Sequence, residues 1–345
     1  MVASVKKILL AAGGTGGHVI TAQAVGEALQ EANFSVVFAG SGLSSNPYFD
    51  RGKFPFADVR AAPLGFFSFI GKTVCGVWDS LSLLHRESPS LVVGFGSYHT
   101  VPLMIAAMVL RIPFILYEAN AIPGRVVRLF GGRALFTACF FEEAAAKMGG
   151  KTVRAQHPLR SAFRRLPTQK EARAFFQLPA EGECLLIIGG SQGAEPLNAL
   201  GPAVGAIEKK THIIHVAGRK APLEGLRKQY ADRSGTVVVT AYEERMEYAI
   251  AASDRVIARA GASTVAELEL FAKPVIYVPY PHATDNHQLY NAHAAAKRGP
   301  AVVVEEKELS AHNIVERLAA LGNTAQIGCH NKSVPTLITH IIGAL

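Results

Sequence analysis

The chain has 345 residues, enough for two domains with a core in each. Its 49% hydrophobic and 18% charged residues describe a folded, rather apolar protein and exclude a disordered one. The net charge of +8 is unevenly placed: residues 1–165 hold 17 Lys and Arg against 9 Asp and Glu, and Leu166 onward holds 18 of each. A basic half suggests an anionic partner (nucleic acid, a phosphorylated substrate or acidic lipid headgroups), and chance clustering on a solvated face is the plainer reading.

At the start, Lys6 and Lys7 precede only five apolar residues, Ile8 to Ala12, before glycines follow, which is too short for the core of a secretion leader. Val101 to Leu110, the longest apolar run, falls far below the ~20 residues of a membrane span. The expectation is a chain neither secreted nor integral to a membrane. Cys75, Cys139, Cys184 and Cys329 are scattered without a CxxC pair, which argues against a disulfide framework or zinc knuckle and suits a reducing compartment.

Val5–Ala12 reads as a buried strand, His18–Glu31 as a helix and Ser35–Ala39 as the next strand. The apolar, aromatic stretch from Leu64 to Trp78 contains Phe66, Phe67, Phe69 and Lys72; it reads either as a core helix or as a surface dipping into an anionic bilayer interface. Leu91–Val93 is a strand, followed by a glycine loop and an apolar helix from Val101, and Pro113–Tyr117 is another, ending at Glu118-Ala119-Asn120. Such a βαβα rhythm predicts a doubly wound parallel sheet. Beyond a polar, basic stretch from Arg160 to Lys170 the pattern restarts. Glu183–Ile188, Thr211–Ala217, Thr236–Thr240, Asp254–Ala258 and Pro274–Pro279 read as strands with helices between them. GGTGGH follows the first strand of one half and GGSQGA the first strand of the other. Two Rossmann-like α/β domains, 1–163 and 164–345, are therefore expected to face a shared cleft, with the last helix able to pack back on the first domain.

Four glycine loops stand at strand ends: Gly13 to Gly17, Gly94 to Tyr98, Gly189 to Gly193, and Arg259 to Val265 around Gly261. Glycine lets backbone N–H groups approach a ligand closely, and a following helix N-terminus favours negative charge. One such loop often serves only strand–helix packing; four at the carboxyl ends of strands point to ligand binding. NAD is a poor candidate. The third glycine of GxGxxG is replaced by Val19, and the second strand ends Phe38-Ala39-Gly40-Ser41 without the acidic residue that would hold a ribose. No GxxxxGK[ST] appears either, so the pattern describes a phosphate-handling protein that is not a P-loop nucleotidase.

His18 follows the first glycine loop at a helix start, where the positive helix end favours the neutral, proton-accepting imidazole; a capping or core histidine is the alternative. Glu118 and Asn120 could bind a sugar or orient a base, or simply serve the turn before Pro123-Gly124. Arg160 suits a diphosphate, Glu267 could accept from ribose hydroxyls, and Gln288 offers an amide to a sugar. No spacing of His, Cys or carboxylates resembles a metal site.

GGTGGH (13–18), GFGSYHTVP (94–102), YEANAIPG (117–124), GGSQGA (189–194) and RAGASTVAELELFAKPVIYVPYPHATDNHQLYNA (259–292) occur in an order that, from residue 5 to about 300, resembles the MurG family of peptidoglycan glycosyltransferases. The resemblance implies the two-domain GT-B fold and inverting transfer of N-acetylglucosamine from UDP-GlcNAc to the 4-hydroxyl of the muramoyl sugar of lipid I, giving lipid II. It implies a peripheral place on the cytoplasmic face of the cell membrane, with anionic inner-leaflet lipids and other cell-wall synthesis proteins as partners, and no cofactor, metal or nucleic acid. By the same resemblance Thr15, Gly16 and Gly17 contact the donor sugar, Asn120 hydrogen-bonds it, and His18 or Glu118 is the base. Arg160 and Ser191 meet the donor phosphates, Glu243 offers backbone to the uracil, and Ala262, Ser263, Thr264, Val265, Ala266 and Glu267 hold the diphosphate and ribose. Gln288 lies on the sugar, and Gly94, Gly96, Ser97 and Tyr98 on the acceptor side. The family often has His where Tyr117 stands and Asn where His157 stands, which touches fine geometry near the acceptor. Alternatives are another UDP-sugar enzyme of this fold, either a glycolipid synthase or a UDP-GlcNAc 2-epimerase, and an inactive membrane-associated scaffold.

Overall fold

Runs of Val, Ile and Leu without polar alternation suit strands covered on both faces. In the computed structural model, which describes residues 5–14, 16–61, 69–322, 334 and 336–345, these runs form two all-parallel sheets. The first has seven strands: β1 (Lys7–Ala11), β2 (Ser35–Gly40), β3 (Phe56–Asp58), β4 (Leu91–Gly94), β5 (Phe114–Glu118), β6 (Thr137–Cys139) and β7 (Thr152–Arg154), in the order β3-β2-β1-β4-β5-β6-β7. The second has six: β8 (Cys184–Ile188), β9 (His212–Val216), β10 (Val237–Thr240), β11 (Arg255–Ala258), β12 (Val275–Tyr277) and β13 (Ala301–Val303), in the order β10-β9-β8-β11-β12-β13. They belong to two units, Met1–Ser161 with Lys332–Leu345, and Ala162–Asn331.

Each sheet reverses its winding beside its first strand. Ala11 of β1 pairs with Gly94 of β4, and Ile188 of β8 with Ala258 of β11. At such a reversal the connections leave in opposite directions and open a crevice at the strand carboxyl ends. All four glycine loops stand there, two per unit.

Four strands escape the sequence pattern. β3, β6, β7 and β13 have three residues each, too few for a readable period, and β3, β7 and β13 are only partly covered. The first helix is Gly16–Glu31, so Gly16 and Gly17 join His18 in its opening turn rather than preceding it. Much of the stretch from Leu64 lies outside the described residues, including Phe66 and Phe67; the remainder belongs to helix Phe69–Glu87. That helix is two-sided. Ser80, Leu83 and Leu84 are buried, whereas Val74 and Trp78, one turn apart, are 52% and 70% exposed.

Between the sheets' residues in sequence, Thr168 caps helix Gln169–Phe175 through a reciprocal capping box with Glu171. After the second unit the chain returns to the first. Gln156 and Thr336 form a parallel bridge, Leu337 and Ile341 of helix Leu337–Gly343 are buried, and a His340 ring nitrogen bonds the Arg154 carbonyl at 3.0 Å.

Candidate active site

In the first unit the two glycine loops touch. Gly14 has φ +83°, and a side chain there would begin 2.8 Å from Cδ2 of His99 and 3.2 Å from Oγ of Ser97. Only glycine allows that approach. Asn46 Nδ2 donates to the Gly14 carbonyl at 2.9 Å and fixes the turn from the other side. In the facing loop Ser97 adopts φ 68°, ψ 144°, a conformation costing on the order of 1–3 kcal/mol outside glycine. The Thr100 hydroxyl reaches the carbonyls of both Gly96 and Ser97 at 2.9 Å and holds the loop in place. Thr15 lies outside the described residues. His18, half-buried on the first turn of its helix, brings Nε2 to 3.9 Å from where a side chain on Gly96 would begin. The structure thus gathers Gly16, Gly17, His18, Gly94, Gly96, Ser97 and Tyr98 at one switch point.

Glu118 ends β5 with 5% exposure. Its Oε1 accepts from the Asn120 amide at 2.9 Å and from Asn120 Nδ2 at 3.2 Å, and its Oε2 from the Gly124 amide at 2.8 Å. Burial raises its pKa, and these donors pull it back. A carboxylate so engaged secures the turn that carries Asn120. Arg160 is half-buried in the first unit, at its boundary with the second.

In the second unit, Gly193 and Gly218 let the β8 and β9 loops cross: a side chain on Gly218 would run into the Gly193 backbone. The Arg219 amide donates to the Ser191 carbonyl at 3.2 Å, so Ser191 is held on the crossing. Helix Ala262–Phe271 begins directly after Gly261, has no acidic residue in its first turn, and sets Glu267 half-buried in its second. The amides of Ala262, Ser263 and Thr264 at this positive end suit an anionic oxygen. Val265 and Ala266 face the core. Gln288 accepts from the Tyr280 amide through Oε1 at 3.0 Å, which fixes its amide group, and Glu243 accepts from the Arg245 amide at 2.8 Å.

Sequence reasoning missed the residues that brace these loops. Arg259, 7% exposed, donates through Nη1 to the carbonyls of Val278 and Pro279 at 3.0 Å each and through Nη2 to Glu306, tying the loop before Gly261 to the one that leads to Gln288. Asn291 donates to the Ala260 carbonyl at 3.1 Å. A charge closing the apolar strand RVIAR was a visible signal for Arg259. A second brace lies deeper: Tyr230 OH meets His215 Nδ1 at 2.8 Å, His215 Nε2 meets Asn198 Oδ1 at 3.0 Å, and Asn198 Nδ2 donates to the Ala217 carbonyl at 3.1 Å.

Burial drives His215 down to about 4 and His157, in the first unit, down to about 3, from 6.5. Both rings stay neutral when folded and take up a proton once unfolded. Unfolding therefore binds protons between those folded values and 6.5, so their contribution is complete above about pH 6.5 and falls as pH drops. The expected slope is about 1.4 kcal/mol per pH unit for each histidine. Thermal unfolding followed from about pH 7 to 4.5 measures it; His215→Gln should flatten the dependence, and an unaltered slope would show that this ring is not the acid-sensitive group.

Among the described residues, no group of three or more His, Cys, Asp or Glu could hold a metal ion, and no helix is long and apolar enough to cross a membrane. Residues 8–137 match the glycosyltransferase family 28 N-terminal domain, and residues 184–331 the glycosyltransferase family 28 C-terminal domain. The chain is 39% identical over 319 residues to the UDP-N-acetylglucosamine--N-acetylmuramyl-(pentapeptide) pyrophosphoryl-undecaprenol N-acetylglucosamine transferase of Protochlamydia amoebophila, with 88% of this chain and 84% of that protein covered. It is similar to the crystal structure of Acinetobacter baumannii MurG, with a TM-score of 0.80, 25% identity and 98% of each chain covered. A UDP-GlcNAc 2-epimerase from Neisseria meningitidis, solved with UDP-GlcNAc bound, shares the fold alone, at TM-score 0.67 and 15% identity over 98% of each chain. The chain therefore belongs to glycosyltransferase family 28 and, within it, to the UDP-N-acetylglucosamine--N-acetylmuramyl-(pentapeptide) pyrophosphoryl-undecaprenol N-acetylglucosamine transferases.

Proposed function

We propose that this chain transfers N-acetylglucosamine from UDP-GlcNAc to the 4-hydroxyl of the muramoyl sugar of lipid I, inverting the anomeric carbon and giving lipid II and UDP. Within this family, the observation that carries the reading is the pair of glycine loops at the switch point of each sheet. The second unit takes the donor: Ser191 and the amides at the start of helix Ala262–Phe271 receive the diphosphate, Glu267 the ribose, backbone at Glu243 the uracil, and Gln288 the sugar. The first unit takes the acceptor beside Gly94, Gly96, Ser97 and Tyr98. Thr15, Gly16 and Gly17 contribute at the donor sugar, with Asn120 as its hydrogen-bond partner and Arg160 as a counter-charge to the phosphates.

In the reaction the bond between the anomeric carbon and the β-phosphate oxygen breaks, and its electron pair leaves with UDP. Peptide amides fixed at a helix start stabilise that developing charge without reorganising. The 4-hydroxyl oxygen attacks from the opposite face and its proton passes to the His18 imidazole. His18 is favoured over Glu118 because the three N–H groups on the Glu118 oxygens commit that carboxylate to the Asn120 turn. Incubation with labelled UDP-GlcNAc and a lipid I analogue should give labelled disaccharide lipid and UDP. Formation of the 2-epimer of the donor with no disaccharide would assign the chain to epimerisation instead.

The acceptor is lipid-borne, and the reading places the chain peripherally on the cytoplasmic face of the membrane. The exposed Val74 and Trp78, with exposed Lys72 on the same helix and exposed Val109 and Leu110 at the end of the helix packed against it, suit an interface of acidic headgroups. Binding to phosphatidylglycerol vesicles should fall with salt, and by about tenfold in the double variant Val74→Ser, Trp78→Ser. Binding indifferent to both changes would remove this surface from the account.

A further inference from the structure

The last two residues of β5 point to opposite faces of the sheet, as successive strand residues do. Glu118 secures the Asn120 turn. Tyr117 faces the other way, into the core of the first unit, where three buried polar side chains meet. Its hydroxyl lies 2.7 Å from Nδ1 of His157; Nε2 of that ring lies 3.4 Å from Oγ1 of Thr21; and Thr21 Oγ1 donates to the Gly17 carbonyl at 2.7 Å. Tyr117 and Thr21 are each 3% exposed and His157 6%. These residues come from the sheet, from the segment after β7 and from the first helix, and the chain of contacts ends on the residue next to His18.

The proton positions follow from the partners. The Thr21 hydroxyl uses its single proton on Gly17, so its oxygen accepts, and Nε2 of His157 must carry the hydrogen. Nδ1 is then an acceptor and receives a hydrogen bond from the Tyr117 hydroxyl. Burial holds His157 neutral across the working pH range, which keeps this one arrangement. The second unit repeats the plan with different residues: Tyr230, His215 and Asn198 end on the Ala217 carbonyl, beside the Gly193 crossing. Groups buried this deeply could be exchanged for apolar ones of similar shape at small cost to folding, so stability alone does not require the polar set.

We propose that Tyr117, His157 and Thr21 are positioning residues that hold the opening turn of helix Gly16–Glu31, and with it His18, at the distance the acceptor hydroxyl requires. The proposal rests on the reading of His18 as the base. A displacement of a fraction of an ångström at that ring is the effect expected when the relay is cut, and misplacement on this scale lowers turnover steeply.

The test compares Thr21→Val, Thr21→Ser and Tyr117→Phe, each alone and on a His18→Gln background, using UDP-GlcNAc and a lipid I analogue. Thr21→Val and Tyr117→Phe are each expected to lower kcat by about 10- to 100-fold with KM for UDP-GlcNAc within about twofold, and Thr21→Ser should restore most of the rate. On the His18→Gln background Thr21→Val should add almost nothing, because residues that act as a unit are not additive. An equal loss on both backgrounds overturns the proposal, as does a Thr21→Val enzyme with a lowered melting temperature and an undiminished kcat. Full activity of His18→Gln alone removes the base assignment, a distinct outcome read from a different variant. If Tyr117→Phe fails to fold, the Thr21 pair still decides.

Discussion

Replacing His18 with Gln is expected to lower kcat by about 100- to 10,000-fold, the range supplied by a positioned general base, with KM for UDP-GlcNAc little changed. Gln keeps a polar group of similar reach and removes the ability to take a proton at neutral pH. Because His18 is only half-buried on the first turn of its helix, the variant should melt within a few degrees of the parent. The informative contrast is Glu118→Gln. Its amide would present an N–H where the Asn120 or Gly124 amide now donates, so the main losses should be in stability and in handling of the sugar. Single-turnover rates with excess enzyme separate chemistry from product release. A nearly unimpaired His18→Gln beside a dead but folded Glu118→Gln would reassign the base.

The second large effect is expected at Glu267. A hydrogen bond to an ionised carboxylate contributes about 1.5–3 kcal/mol, so Glu267→Gln should reduce kcat/KM for UDP-GlcNAc by about 10- to 100-fold. The half-buried side chain sits in the second turn of helix Ala262–Phe271, one turn beyond the amides assigned to the diphosphate. In the proposed reading the donor's diphosphate and ribose thus share one helix end. The loss should be specific to the sugar hydroxyls: the parent should prefer UDP-GlcNAc over its 2′-deoxy analogue, and the variant should treat the two nearly alike. A preference that survives the substitution would place Glu267 elsewhere.

The glycine loops were legible because close backbone approach is a local demand. Gly14 and Gly218 answer contacts that no other residue permits, and the sequence shows them as interruptions in apolar runs. Strands were legible where they lay in well-covered apolar runs; β3, β7 and β13, with three partly covered residues each, gave no period to read, and the order of the strands came only with the structure. The relays were not legible at all. Thr21 and His157 are separated by 136 positions, and nothing in either neighbourhood distinguishes a bonded histidine from an ordinary buried one. Glu118 was recognisable as a carboxylate at a strand end, but its commitment to the Asn120 and Gly124 amides depends on the path of the following turn. The resemblance flagged Tyr117 and His157 as two separate departures from the family. In three dimensions they are one, since the tyrosine hydroxyl donates the hydrogen bond that the histidine ring accepts.

The return of residues 336–345 to the first unit has a bearing on biosynthesis. Leu337 and Ile341 fill a site beside helix Gly16–Glu31, and Thr336 and His340 close onto the backbone of Gln156 and Arg154. Those closing pieces are translated only after every residue of the second unit. On the ribosome the first sheet can assemble early, yet these contacts are missing until the whole second unit has been made, so the earlier-made half is the later one to be sealed.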